Sequence, residues 1–135
     1  MPSARHAALL FAVLTGAVIV FQLALAAGMP WGDYAMGGAF PGVYPPPMRV
    51  AAVVQAAILA GIGLIVLARA GVVLPRAAAG MRWPAWAVAG LSALGFVLNL
   101  ITPSAGERLI WAPVTAVLFL CALRVAASGA TAASR

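Results

Sequence analysis

Three stretches of this chain carry no charged side chain over a length that matches a lipid bilayer. They are Ala7 to Gly28, Val50 to Ala68 and Ala85 to Ile101, of 22, 19 and 17 residues. A fourth stretch, Ala105 to Ala127, is apolar between Glu107 and Arg108 near one end and Arg124 near the other. At a rise of ~1.5 Å per residue, ~20 apolar residues cross a ~30 Å hydrocarbon core. In that medium a spanning segment must satisfy its own backbone hydrogen bonds, which favours helices. The pattern predicts an all-α membrane protein: a bundle of four transmembrane helices arranged as two hairpins. Hydrophobic residues make up 65% of the 135 and charged residues 7%, where a soluble domain carries about a quarter charged. A single transmembrane domain over residues 1–127 is expected, followed by a disordered tail over 128–135.

The charges orient the bundle. All eight basic residues are arginine and the only acids are Asp33 and Glu107, a net charge of +6. With four spans, Arg5, Arg69, Arg76, Arg82, Arg124 and Arg135 share one side, and Arg49 and Arg108 the other. The positive-inside rule then puts both termini in the cytoplasm. Because the arginines are scattered singly between apolar runs, they lack the basic patch that nucleic acid would need. The first span also has the basic start, apolar core and Ala24-Leu25-Ala26 site of a secretory signal peptide. Its length favours a retained helix.

Between the first two spans lies GMPWGDYAMGGAFPGVYPPPMR, Gly28 to Arg49, with five of the 14 glycines, five of the 10 prolines, both tyrosines and Asp33. Pro45-Pro46-Pro47 stiffens this segment ahead of a helix start. It is expected to form a semi-rigid cap outside the cytoplasm. The shorter connector on the same side, Thr102 to Glu107, reads as a helix start. Ser104 at the N-cap and Glu107 three residues on fit a capping box, in which each side chain accepts from the other's end of the turn. Pro113 predicts a kink in the last span. Small residues four apart, Ala52, Ala56, Ala60 and Ala85, Ala89, Ala93, allow close helix approach.

Chemistry-bearing residues are few. One histidine, one cysteine and two acids, far apart in sequence, offer no metal-ligand spacing. Gly61 and Gly63 lie inside a span and lack the third glycine of a dinucleotide fingerprint. No nucleophile–base pattern points to an enzyme, and neither cofactor nor metal is expected. Depth is more informative. Gln22 lies six residues before Gly28, and Gln55 six after Arg49, which puts both ~9 Å below the outer boundary. Asn99 is slightly shallower. Gln22, Asp33, Arg49, Gln55, Asn99, Glu107 and Arg108 therefore all fall in the outer half, as a candidate polar pocket under the cap. Two uses of the three amides are open: lining such a pocket, or hydrogen-bonding between helices, at ~0.6 kcal/mol per bond. Trp31, Tyr34, Tyr44 and Trp111 fit an interfacial aromatic belt, and Arg49 and Arg108 fit anchors or ion-pair partners of the two acids.

The segments WGDYAMGGAFPGVYPPPMR, Trp31 to Arg49, and LNLITPSAGERLIWAP, Leu98 to Pro113, resemble a pattern in small four-span integral membrane proteins of GC-rich bacteria that have no known activity. The resemblance implies a multi-pass protein of the bacterial inner membrane. Small multidrug transporters would need a glutamate in the middle of the first span, where this chain has Thr15 and apolar neighbours. Function is therefore expected to be non-enzymatic, an accessory or binding protein with its outer loop as recognition surface. The alternative is a small transporter or channel-like protein using the outer polar pocket. The expected partners are the bilayer and either another membrane protein or a second copy of the chain.

Overall fold

The computed structural model describes residues 3–129. Its described residues form four long helices: α1 (Ala4–Ala27), α2 (Pro46–Arg69), α3 (Arg82–Ile101) and α4 (Ala105–Ala126). By length and composition all four are apolar enough to cross a membrane, the pattern of a multi-pass protein of the four-helix type. The helix ends follow local chemistry. Ser3 caps α1 by accepting from the His6 amide at 3.2 Å. Gly28, in the left-handed region at φ 104°, closes it. Helix α2 begins inside the proline run, four residues before the expected start. Pro46 occupies its first turn, where a residue without an N–H costs nothing. Helix α3 likewise takes in Trp83 and Pro84. Helix α4 continues through Pro113 to Ala126.

Helix α1 packs along α2, α3 along α4, and α1 also meets α4, while α2 and α3 touch little. Two clusters hold the bundle. The first gathers both chain-terminal ends and the α2–α3 connector: Ala7, Ala8, Phe11, Val66, Ala85, Val88, Ala89, Cys121, Ala122 and Val125 are among its buried members. The first two residues of each alanine ladder, Ala52, Ala56, Ala85 and Ala89, are buried, whereas Ala60 is exposed. This cluster closes what we call the terminal end of the bundle.

The second cluster lies at the loop end and contains Leu25, Ala35, Tyr44 and Ala52, with Phe21, Phe40 and Met48 against it. It joins α1, α2 and the loop, and no residue of α3 belongs to it. Tyr44 is 3% exposed. It is a core residue and not part of the expected belt, because the loop folds inward over the helices. Short 3-10 turns at Gly32–Tyr34 and Met36–Gly38 shape that loop.

Arg69 fastens the terminal end. It is 7% exposed and donates to the carbonyls of Ala78, at 3.0 Å, and Ser128, at 2.6 Å. The expected tail thus begins with a residue tied to the bundle, and residues 130–135 lie outside those described.

Candidate functional site

Where α2 and α3 diverge, the bundle encloses a cavity of about 1030 Å³, at the upper end of the range of about 300–1,000 Å³ usual for small-molecule sites. All four helices and the loop line it. Gln22, Gln55, Asn99 and Glu107 all face it, and Thr15, Ser92, Thr102 and Thr115 add hydroxyls. The remaining wall is apolar and aromatic, with Phe11, Phe21, Tyr34, Tyr44 and Trp111. Its lining residues on α1 and α4 are buried or half-buried, whereas Gln55 and Ile58 on α2 and Leu91, Leu94 and Leu98 on α3 are exposed. The cavity is therefore open sideways, between α2 and α3, and closed below by the first cluster.

The three amides do not bond across helices. Asn99 donates through Nδ2 to the Gly95 carbonyl of its own helix at 2.8 Å. Neither Gln22 nor Gln55 has a hydrogen-bond partner among the described residues. An amide at this depth without a protein partner leaves polar capacity directed into the cavity. All three amides line the cavity, and none bonds to another helix among the described residues.

Glu107 is the roof fastener. Its Oε2 accepts from the Gly37 amide at 2.8 Å and from the Thr102 hydroxyl at 2.9 Å. The capping box is thus half made. Ser104 Oγ accepts from the Glu107 amide at 3.1 Å, but the carboxylate turns away from the Ser104 amide to the loop. Two further bonds hold the loop to the start of α4: Ser104 Oγ donates to the Asp33 carbonyl at 2.7 Å, and Trp111 Nε1 to the Tyr34 carbonyl at 2.9 Å. The approach is close enough that a larger residue at Gly106 would displace the Tyr34 ring. A Cβ on Gly106 would lie 2.6 Å from the Tyr34 ring. Burial pushes the Tyr44 phenol above its ordinary range, and the Glu107 carboxylate adds to the shift.

Asp33, Arg49 and Arg108 stand outside the lining. Asp33 is exposed and contributes its backbone carbonyl to the loop–α4 contact. Neither acid pairs with either arginine. Arg49 donates from Nε to the Tyr44 carbonyl at 2.9 Å, and its guanidinium lies beside Gly28. Arg108 donates to the Thr102 carbonyl at 2.6 Å. Arg108 thus sits at the C-terminal end of α3, whose C-cap is Thr102, where the helix dipole favours a cation, while the Arg49 guanidinium lies beside Gly28, the C-cap of α1, and bonds to a loop carbonyl. Backbone carbonyls of Tyr44 and Thr102 take these cations in place of the acids, so of the two readings, anchors or ion-pair partners, the ion pairs are not formed.

Several lining residues carried no signal in the sequence. The loop residues Ala35, Met36 and Gly37 enter the site only because the loop folds inward. Thr102 and Thr115 were visible as polar residues near or within spans, but their facing could not be read from spacing alone. A second, smaller cleft of about 280 Å³ lies behind the aromatic wall, lined by Phe21, Trp31, Tyr34, Ile110 and Trp111. Phe21 sits there between the stacked Trp31 ring, 6.1 Å away, and the edge-on Trp111 ring, at 4.8 Å. Comparison of the chain with protein-family models, curated proteins and solved structures gives no match.

Proposed function

We propose that this is a non-enzymatic binding protein of the membrane, whose ligand is a small amphiphile taken into the cavity from the surrounding lipid. One observation carries the reading: Gln22, Gln55, Asn99 and Glu107 converge on one cavity that is roofed by the loop and open between α2 and α3. An apolar wall with a few directed polar groups is the usual makeup of a small-molecule site. A sideways opening suits a molecule that is already dissolved in the bilayer. By the positive-inside rule the loop end faces away from the cytoplasm, so the ligand comes from the outer leaflet. The resemblance to four-span proteins of GC-rich bacteria supports a place in the inner membrane of such a cell.

This reading moves recognition from the outer surface of the loop to the space beneath it. The loop spends Gly37, Asp33 and Tyr34 on contacts with α4, which suits a lid better than a free recognition surface. The transporter alternative has the same cavity in its favour. It would also require a path through the cluster around Phe11, Val66 and Val125, all under 3% exposed.

The test uses protein reconstituted in nanodiscs and a brominated alkyl alcohol that quenches Trp111, with Trp31, Trp83 and Trp86 changed to phenylalanine. Saturable quenching is expected. It should be lost in the Gln22→Leu, Gln55→Leu, Asn99→Leu triple variant, which should retain its helical circular dichroism. Non-saturable quenching by the alcohol in the parent protein would sink the binding reading. Saturable binding together with facilitated flux of the same probe across liposomes would replace it with the transporter.

A further inference from the structure

The charge of the cavity runs against the charge of the chain. Eight arginines and two acids are present overall, yet no arginine lines the cavity, and the one charged lining residue is Glu107. Both outer arginines, themselves outside the lining, donate to the backbone carbonyls of Tyr44 and Thr102 and not to the carboxylate. The Glu107 carboxylate has two donors on Oε2, the Gly37 amide and the Thr102 hydroxyl, while a carboxylate offers about four acceptor sites. An acid beside a hydrocarbon wall without a cationic partner has strong affinity for one, because low dielectric magnifies the attraction. The aromatic faces of Phe21, Tyr34, Tyr44 and Trp111 share the lining, and such faces also attract cations. The free carbonyl oxygens of Gln22 and Gln55 can accept from an ammonium group.

We infer that the ligand is a lipophilic amine: an alkyl or aryl chain seated against the apolar wall, with its ammonium group bound by the Glu107 carboxylate and the neighbouring amides. This inference rests on the proposed binding function and adds the charge of the ligand to it. It also gives Glu107 two tasks, holding the lid through Oε2 and receiving the ligand through its remaining acceptor sites. An anionic amphiphile would meet a like charge with no arginine in the lining to offset it.

The experiment compares three probes that share one brominated alkyl chain and end in a primary amine, a hydroxyl or a sulfate. Each is titrated at neutral pH against the single-tryptophan protein in phosphatidylcholine nanodiscs, with quenching of Trp111 as the readout. The amine should bind about tenfold or more tighter than the alcohol, as a charge-assisted hydrogen bond would give, and the sulfate weakest. Glu107→Gln should bring the amine to the level of the alcohol. Because that change also loosens the lid, Gln55→Glu is the second variant. It leaves the lid bonds in place and should raise the amine preference further. Equal binding of all three probes, or an amine preference that survives Glu107→Gln, would overturn the assignment while leaving the binding function standing. So would Gln55→Glu without any gain for the amine. A brominated phosphatidylethanolamine binding as tightly as the amine would also overturn it, by moving the site to a zwitterionic lipid. Absence of saturable quenching by every probe would remove the binding function itself.

Discussion

Single residues in the loop are set by backbone proximity more than by side-chain chemistry. Gly32 is the clearest case. Its amide donates to the Gly42 carbonyl at 2.9 Å, and a Cβ at Gly32 would come within 1.8 Å of the Phe40 carbonyl oxygen. No rotamer change relieves a clash with backbone, so the lid itself must shift. Gly32→Ala should therefore destabilise the protein by about 2–3 kcal/mol, readable as a lower thermal midpoint in detergent. The neighbouring Gly42→Ala has open space around its Cβ and should lose less, its cost coming from a positive φ of 74° alone. Equal losses would mean that the Gly32–Phe40 approach does not hold the lid. The sequence revealed that this stretch is glycine-rich, but not which glycine faces a carbonyl, since Phe40 meets Gly32 only when the loop closes on itself.

Whole helices were far more legible, because a span is fixed by hydrocarbon thickness and a helical rise that do not depend on tertiary context. The starts of α2 and α3 moved earlier by three or four residues, where prolines fit a first turn. Depth arithmetic also put Gln22 and Gln55 at one level with Asn99 slightly shallower, and the structure brings all three to one cavity. It could not decide between pocket and bonded amides, which depends on how far α2 and α3 diverge. Nor could spacing reveal that Arg49 turns to the Tyr44 carbonyl and Arg108 to the Thr102 carbonyl, or the 70-residue reach from Glu107 to Gly37. Arg69, at the end of α2, makes a comparable long link at the other end, joining Ala78 of the α2–α3 connector to Ser128, two residues after α4. Arg69→Met keeps most of its apolar stem and leaves both carbonyls without a charged donor. Unfolding in denaturing detergent should register a loss of about 2–4 kcal/mol, and Arg69→Lys should recover only part of it, since lysine lacks the planar fork. A neutral outcome for Arg69→Met would show that the terminal cluster holds the connector unaided.

At the scale of the molecule, orientation governs which leaflet the opening faces. Arginine counting predicts that Val43, an exposed loop residue, lies outside, and that Leu74 in the α2–α3 connector lies inside. In a Cys121→Ala background, a cysteine at position 43 should react with a membrane-impermeant maleimide in intact cells. One at position 74 should react only after permeabilisation. The reverse pattern would invert the bundle and move the opening to the cytoplasmic leaflet.

The gap between α2 and α3 also changes what an affinity means for this protein. A ligand arriving through that gap is drawn from lipid, so occupancy follows its mole fraction in the bilayer and not its concentration in water. Each methylene added to a chain favours the membrane by ~0.8 kcal/mol, about fourfold. Longer amphiphiles would therefore look more potent in aqueous units while binding no tighter per lipid. Diluting the protein with extra lipid at fixed total ligand would lower its occupancy. For such a ligand the bilayer would act as the reservoir, and its composition and volume would tune occupancy as directly as any substitution in the cavity.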